Sequence, residues 1–80
     1  MQKLIALSDI KIGEGAVVKK LDTHGAMRRR LQDMGLVIGT KTECLGRSPG
    51  GDPAAYLIRG AVIAIRREDS KNIFVSLRDE

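Results

Sequence analysis

Short segments rich in apolar and β-branched residues predict a protein built mainly of β-strands. Within each segment, apolar residues alternate with polar ones or follow one another over five or six positions, which is typical of strands. Glycine, proline and polar residues separate the segments at intervals typical of small all-β domains. The predicted strands cover residues 16–21, 40–45, 54–59, 62–66 and 73–77.

One segment has the periodicity of a helix instead. Met27, Leu31 and Met34 are spaced i, i+4 and i+7, so they share one face of a helix over about residues 25–34. Gly35 follows the last periodic residue, where a C-terminal cap is expected. A helix of about three turns is marginal in isolation, so we expect it to dock on the sheet through this apolar face.

Turn-forming residues predict the connections between the elements. Asp22 or Thr23 is expected to cap the start of the helix. The pair Gly60-Ala61 has the length of a tight hairpin and favours a type II′ turn, because glycine suits its first central position. Longer polar connections are expected at residues 47–53 and 68–72.

These elements predict a single domain over residues 1–80, since 80 residues are fewer than most domains contain. The expected fold class is mainly β, with five short strands in a small barrel or sandwich and one short inserted α-helix. Closure of the sheet into a barrel would remove exposed strand edges, which so short a chain cannot easily cover.

The composition excludes several classes of binding module and of membrane protein. Tyr56 and Phe74 are the only aromatic residues, whereas base-stacking platforms and proline-peptide grooves need aromatic surfaces. The apolar runs are far shorter than the about 20 residues of a membrane helix, so no transmembrane segment is expected. Cys44 is the single cysteine, which excludes an intrachain disulfide and fits a reducing compartment. We therefore expect a cytoplasmic location.

No group of residues indicates catalysis or a metal site. Cys44 is expected to be a buried, inert thiol within a strand, and His24 a solvated or capping residue at the helix start. A catalytic nucleophile and its base need a third residue to orient them, and the sequence offers none for Cys44 and His24. Zinc needs about four ligands, and Glu68 and Asp69 are more simply explained by a solvated turn. We expect no catalytic residue, no cofactor and no metal site, although weak transition-metal binding or a site shared with a partner remains open.

The positive charges are clustered rather than evenly spread. The chain carries a net charge of +4, and consecutive arginines occupy the predicted helix, with others near the ends of the predicted hairpin. Because arginine binds carboxylates and phosphates in a planar, bidentate way, these side chains are candidates for contact with a partner. The alternatives are an acidic protein, an anionic membrane surface, a nucleic-acid backbone, or a merely solvated helix face. The candidate partner-binding residues are Arg28, Arg29, Arg30, Arg66 and Arg67.

Several segments, taken in this order and spacing, resemble the FeoA family of ferrous-iron transport accessory proteins. The most specific is the helix and following turn at residues 29–40, and Ile38 is a departure because the family often has proline there. The resemblance covers nearly the whole chain. The other matching segments are residues 7–14, 51–53, 58–60, 63–68 and 73–75.

This resemblance implies an SH3-like barrel with an inserted helix, in agreement with the strand count. It further implies a small, non-enzymatic cytoplasmic protein that assists bacterial ferrous-iron uptake by binding the cytoplasmic region of the membrane transporter FeoB. It does not identify the binding residues, and it leaves the oligomeric state open, a homo-oligomer included.

Two other functions are consistent with the residues alone. A small barrel with clustered arginines can bind nucleic acid, although the lack of aromatic residues near the helix disfavours sequence-specific RNA binding, and no nucleic-acid partner is expected. A metal-sensing module would use His24, Cys44 and carboxylates; the resemblance implies a relation to the C-terminal domain of metal-dependent repressors, which has the same fold.

Overall fold

The computed structural model describes residues 3–77. Within this range the chain forms a sheet of six strands, a 3-10 turn and two helices. In chain order the elements are β1 (Ile5–Ala6), the 3-10 turn (Leu7–Asp9), β2 (Gly15–Leu21), α1 (Gly25–Asp33), β3 (Lys41–Arg47), β4 (Ala54–Ile58), β5 (Ala61–Ile65), α2 (Arg67–Ser70) and β6 (Ile73–Leu77).

The strands form one antiparallel sheet in the order β1-β6-β2-β3-β4-β5. Register shifts interrupt the pairing of β2 with β6 and of β3 with β4, whereas β4 and β5 pair without interruption. The mainly β fold class and the five predicted strands are confirmed. The expected closure is not complete, because within residues 3–77 the end strands β1 and β5 each pair with one strand only. Strand β1 was not predicted, because two residues are too few to produce a periodic pattern.

The core of the protein is aliphatic apart from Tyr56. Strand β4 shows the alternation that builds it, since Ala54, Tyr56 and Ile58 are buried while the residues between them are only half-buried. The Tyr56 hydroxyl donates to the Leu7 carbonyl oxygen at 3.4 Å, which satisfies the polar end of a fully buried ring. Burial raises the pKa of the Tyr56 hydroxyl, and the nearby Cys44 raises it further.

Helix α1 docks on this core through the face that its periodicity predicts. Leu31 is 1% exposed, and Met27 and Met34 are half-buried against the core. At the helix end, Gly35 adopts a φ of 89°. Its amide donates to the Gln32 carbonyl at 2.9 Å, and the Leu36 amide donates to the Leu31 carbonyl at 2.9 Å. These two hydrogen bonds form a Schellman motif, so the predicted glycine cap is confirmed.

The predicted cap at the start of α1 is wrong. The residue in the N-cap position is His24, and its side chain makes no capping hydrogen bond. Asp22 lies two residues before the N-cap position. Thr23 is buried beside the helix start rather than exposed at it.

The β4–β5 hairpin has its turn one residue earlier than predicted. Ile58 pairs with Ala61, so the two turn residues are Arg59 and Gly60, with φ angles of 50° and 83°. Positive φ at both central positions is the mark of a type I′ turn rather than type II′. A side-chain hydrogen bond offsets the unfavourable positive φ of Arg59, because its Nε donates to the Gly35 carbonyl at 3.2 Å. This bond ties the hairpin to the end of α1.

The predicted polar turn after β5 contains a single helical turn, α2. The amides of Ser70 and Lys71 donate to the carbonyls of Arg66 and Arg67, each at 2.9 Å. Glu68 and Asp69 lie in its first turn, where acidic residues interact favourably with the helix dipole.

We expect Gly35→Ala to destabilise the protein by about 1–2 kcal/mol, because a side chain at this positive φ is strained. The added Cβ would also lie 2.6 Å from Cδ of Arg59, so the arginine must move and loses its bond to the Gly35 carbonyl. The Gly35→Ala cost should therefore be smaller in an Arg59→Ala background. Urea unfolding of both single variants and the double variant measures this coupling; strictly additive costs would contradict it.

We expect Tyr56→Phe to change the response of stability to alkaline pH. Because the pKa of Tyr56 is raised by folding, the unfolded chain ionises first. The contribution of the neutral hydroxyl is fully present below about pH 10 and is lost as pH rises through the raised value. The free energy of unfolding of the wild type should fall faster above this pH than that of Tyr56→Phe. Parallel stability curves for the two proteins would contradict the assignment.

Candidate protein-docking groove

A groove of about 390 Å³ lies between α1 on one side and the end of β5 with α2 on the other. We call it the α1–β5 groove. Met27, Arg30 and Met34 line it from α1, and Ala64 and Arg66 line it from the end of β5. The α1 wall is anchored by its core contacts and, at its end, by the hydrogen bond from Arg59 to Gly35.

The apolar part of the groove comes from residues that the core only partly covers. Met27 and Met34 pack against the core and also line the groove, while Leu31 behind them is almost fully buried. Methionine side chains are flexible and polarisable, so they adapt to different apolar partners. The groove therefore offers an apolar floor that can fit a side chain from another protein.

The charged part of the groove comes from both walls. Arg30 on α1 and Arg66 after β5 are exposed and face the same space. Glu68 and Asp69 line its far end, at α2. A guanidinium group can form two parallel hydrogen bonds with one carboxylate, which gives specificity as well as attraction. The groove can thus hold an apolar side chain and orient a neighbouring carboxylate.

A shallow depression of about 520 Å³ adjoins the other side of α1. Arg29 and Arg30 line it together with Asp33, and both arginines are exposed. Arg30 therefore stands on the ridge between this depression and the α1–β5 groove. The exposed side of α1 carries two guanidinium groups that a partner can reach.

The structure separates the five candidate arginines into different settings. Arg30 and Arg66 meet at the groove, and Arg29 lies beside it. Arg28 is half-buried, and its Nη1 donates to the Leu21 carbonyl at 3.2 Å, so it ties α1 to the end of β2. Arg67 is exposed at the start of α2, where its backbone amide donates to Oδ1 of Asp52 at 2.9 Å.

Sequence reasoning did not identify the methionines or Ala64 as parts of a binding surface. Met27 and Met34 were assigned to the core from their helical spacing, and they do pack against it. Methionine rather than leucine occupies the two outer positions of the apolar face of α1. This is the one sequence feature that indicates both core packing and contact with a partner. Ala64 gives no signal of its own, since only the strand order places it beside α1.

The residues considered for metal binding or catalysis do not come together. Cys44 is fully buried with a free thiol, and His24 is exposed at the start of α1. Among residues 3–77, no three histidine, cysteine, aspartate or glutamate side chains are placed to hold a metal ion. Nor is any helix in the described part of the chain long and apolar enough to cross a membrane.

The sequence matches known proteins over nearly its full length. A model of the FeoA domain matches residues 5–77. A Porphyromonas gingivalis protein, described as an Fe(2+) transport protein A/Fe(2+) transporter FeoB fusion protein, is 34% identical over 71 residues. That match covers 89% of the chain but only 8% of the fusion protein, so the chain spans a small part of this relative.

Solved structures agree with the sequence match. An NMR structure of a FeoA-like protein from Clostridium acetobutylicum is 34% identical, with a TM-score of 0.89 over 100% of this chain and 93% of that one. A zinc complex of FeoA from Stenotrophomonas maltophilia, described as a prokaryotic SH3 domain protein, is 29% identical. Its TM-score is 0.77, over 90% of this chain and 89% of that one. The expected SH3-like fold is confirmed, and the chain belongs to the FeoA family, which is linked to ferrous-iron transport.

Proposed function

We propose that this domain is a non-enzymatic accessory factor of ferrous-iron uptake that binds the cytoplasmic region of a FeoB-type transporter. The observation that carries the proposal is the Porphyromonas gingivalis fusion protein, in which a similar domain and the transporter share one chain. A covalent link of this kind keeps two partners at high effective concentration. Where the two are separate chains, a binding surface must supply the same association.

The α1–β5 groove is the surface best suited to this role. It combines an apolar floor of Met27 and Met34 with the exposed guanidinium groups of Arg30 and Arg66 on opposite walls. Protein interfaces typically combine an apolar centre with a polar rim, and both arginine and methionine are enriched in them. The domain acts in the cytoplasm in this proposal, on the same side of the membrane as the transporter region that it binds.

We expect the double variant Arg30→Glu with Arg66→Glu to bind the cytoplasmic region of a FeoB-type transporter about tenfold or more weakly than the wild type. The reversed charges would repel the carboxylates that the arginines attract, and interfacial charge pairs have effects of this size. Isothermal titration calorimetry with the purified transporter region measures the affinity. The melting temperature shows whether the variant remains folded.

The double variant Lys11→Glu with Lys19→Glu is the matched control. Both lysines are exposed and do not line the groove, and the variant changes the net charge by the same amount. It should bind like the wild type, apart from a small loss of long-range electrostatic attraction. Added salt screens that attraction in both proteins, so the difference between them should disappear at high salt. Equal weakening by the two double variants would show that net charge, not the groove, drives binding. Strong, salt-sensitive binding of generic duplex DNA would instead favour the nucleic-acid alternative.

A further inference from the structure

The last strand of the sheet, β5, has an edge that faces no other strand. Within residues 3–77, β5 pairs with β4 alone and ends the strand order. We call its other side the free edge of β5. Such an edge presents a row of backbone N–H and C=O groups, which form a template for an additional strand.

The strand itself lacks the sequence features by which edge strands usually prevent unwanted pairing. Those features are a very short strand, a charged or proline residue within it, or a bulge. The opposite terminal strand, β1, has only two residues. In contrast β5 has five, all of them alanine, valine or isoleucine, and its register with β4 is regular. The free edge of β5 is therefore competent to pair.

The hairpin turn determines which amides point outward. A two-residue turn makes Ile58 and Ala61 a hydrogen-bonded pair, and hydrogen-bonded and non-hydrogen-bonded pairs alternate along an antiparallel ladder. The N–H and C=O groups of Val62 and Ala64 consequently point to the free edge. Both residues are exposed, and the Val62 side chain is 66% exposed although it is apolar.

The free edge also adjoins the α1–β5 groove. Ala64 and Arg66 line the groove from the strand side, and Met27 and Met34 line it from the helix side. Side chains of an added strand would alternate between the two faces of the sheet. Val62 and Ala64 share one face of β5, so one set would cover Val62 and reach the groove at Ala64. The other set would lie on the opposite face, beside Ile63, which packs against the core. Backbone pairing and side-chain recognition would thus occur together.

The charges at the two ends of β5 identify the kind of segment that fits. Residues 59–67 include three arginines and no carboxylate, and the first acids, Glu68 and Asp69, lie beyond them in α2. If a second copy paired antiparallel about Ile63, the turn that carries Arg59 in each copy would approach the start of α2, with Arg67, in the other. Like charges brought close together repel each other. A segment with carboxylates at its ends is attracted instead.

We propose that the free edge of β5 binds an extended segment of the transporter's cytoplasmic region as an additional strand. The segment is apolar at its centre and carries carboxylates at its ends, against the arginines that flank β5. The identity of the partner rests on the function proposed above, whereas the surface and the chemistry of the segment follow from β5 itself.

Backbone hydrogen exchange in the full chain, followed by NMR with and without the transporter's cytoplasmic region, tests the proposal directly. The Val62 and Ala64 amides should exchange quickly in the free protein and at least about tenfold more slowly in the complex, because they gain hydrogen bonds. The amides of Ala61 and Ile63 already face β4 and should change much less. This measurement needs no variant and does not depend on the stability of one.

Ala64→Pro is the matching variant, since it removes one outward N–H group and proline is tolerated on edge strands when its nitrogen faces outward. Loss of that single hydrogen bond should weaken binding about tenfold. Ala64→Ser is the comparison variant, because it keeps the N–H group while changing the same exposed side chain. The further loss of affinity in Ala64→Pro relative to Ala64→Ser measures the hydrogen bond.

The outcomes separate this proposal from the proposed function. Failure of the wild type to bind the transporter region would overturn both. Binding that leaves Val62 and Ala64 unprotected, with Ala64→Pro unaffected, would overturn only the strand-addition proposal. A wild-type dimer in sedimentation analysis that Ala64→Pro converts to monomers would identify a second copy as the occupant and likewise overturn the proposal.

Discussion

The docking of α1 onto the sheet is the constraint on which the rest of the molecule depends. A helix of nine residues is not stable alone, so its position is determined by what it buries and how it ends. Leu31 fills the core, and the Schellman motif returns the chain to the core at Leu36. The same arrangement leaves the outer methionines and Arg30 facing β5, which creates the groove.

Short stretches of sequence correctly predicted those elements that neighbouring residues alone determine. The spacing of Met27, Leu31 and Met34 identified the buried face of α1, and Gly35 marked its end. The turn at Arg59 could not be predicted in the same way, because arginine rarely adopts a positive φ. It does so here with a bond to the Gly35 carbonyl, a contact between residues far apart in the chain. No local pattern contains that information.

The candidate site was predictable only in part for the same reason. The sequence places three consecutive arginines on a helix, but successive helical residues point about 100° apart, so they cannot share one environment. Arg28 turns back to the end of β2, while Arg29 and Arg30 face solvent. The meeting of Arg30 with Arg66 depends on the strand order. The arginines of the surface were predictable, and their meeting with the methionines and Ala64 in one groove was not.

The pairing of β1 with β6 brings together strands from the beginning and the end of the described chain. Ile5 lies opposite Val75, so this contact closes a loop that contains almost the whole domain. Loop closure of that length is entropically costly, and topologies dominated by such distant contacts fold slowly. The nascent domain therefore completes its sheet only after β6 has left the ribosome. During synthesis, β1 lacks its partner strand β6 until that late step, and β2 can pair with β3 on one side only.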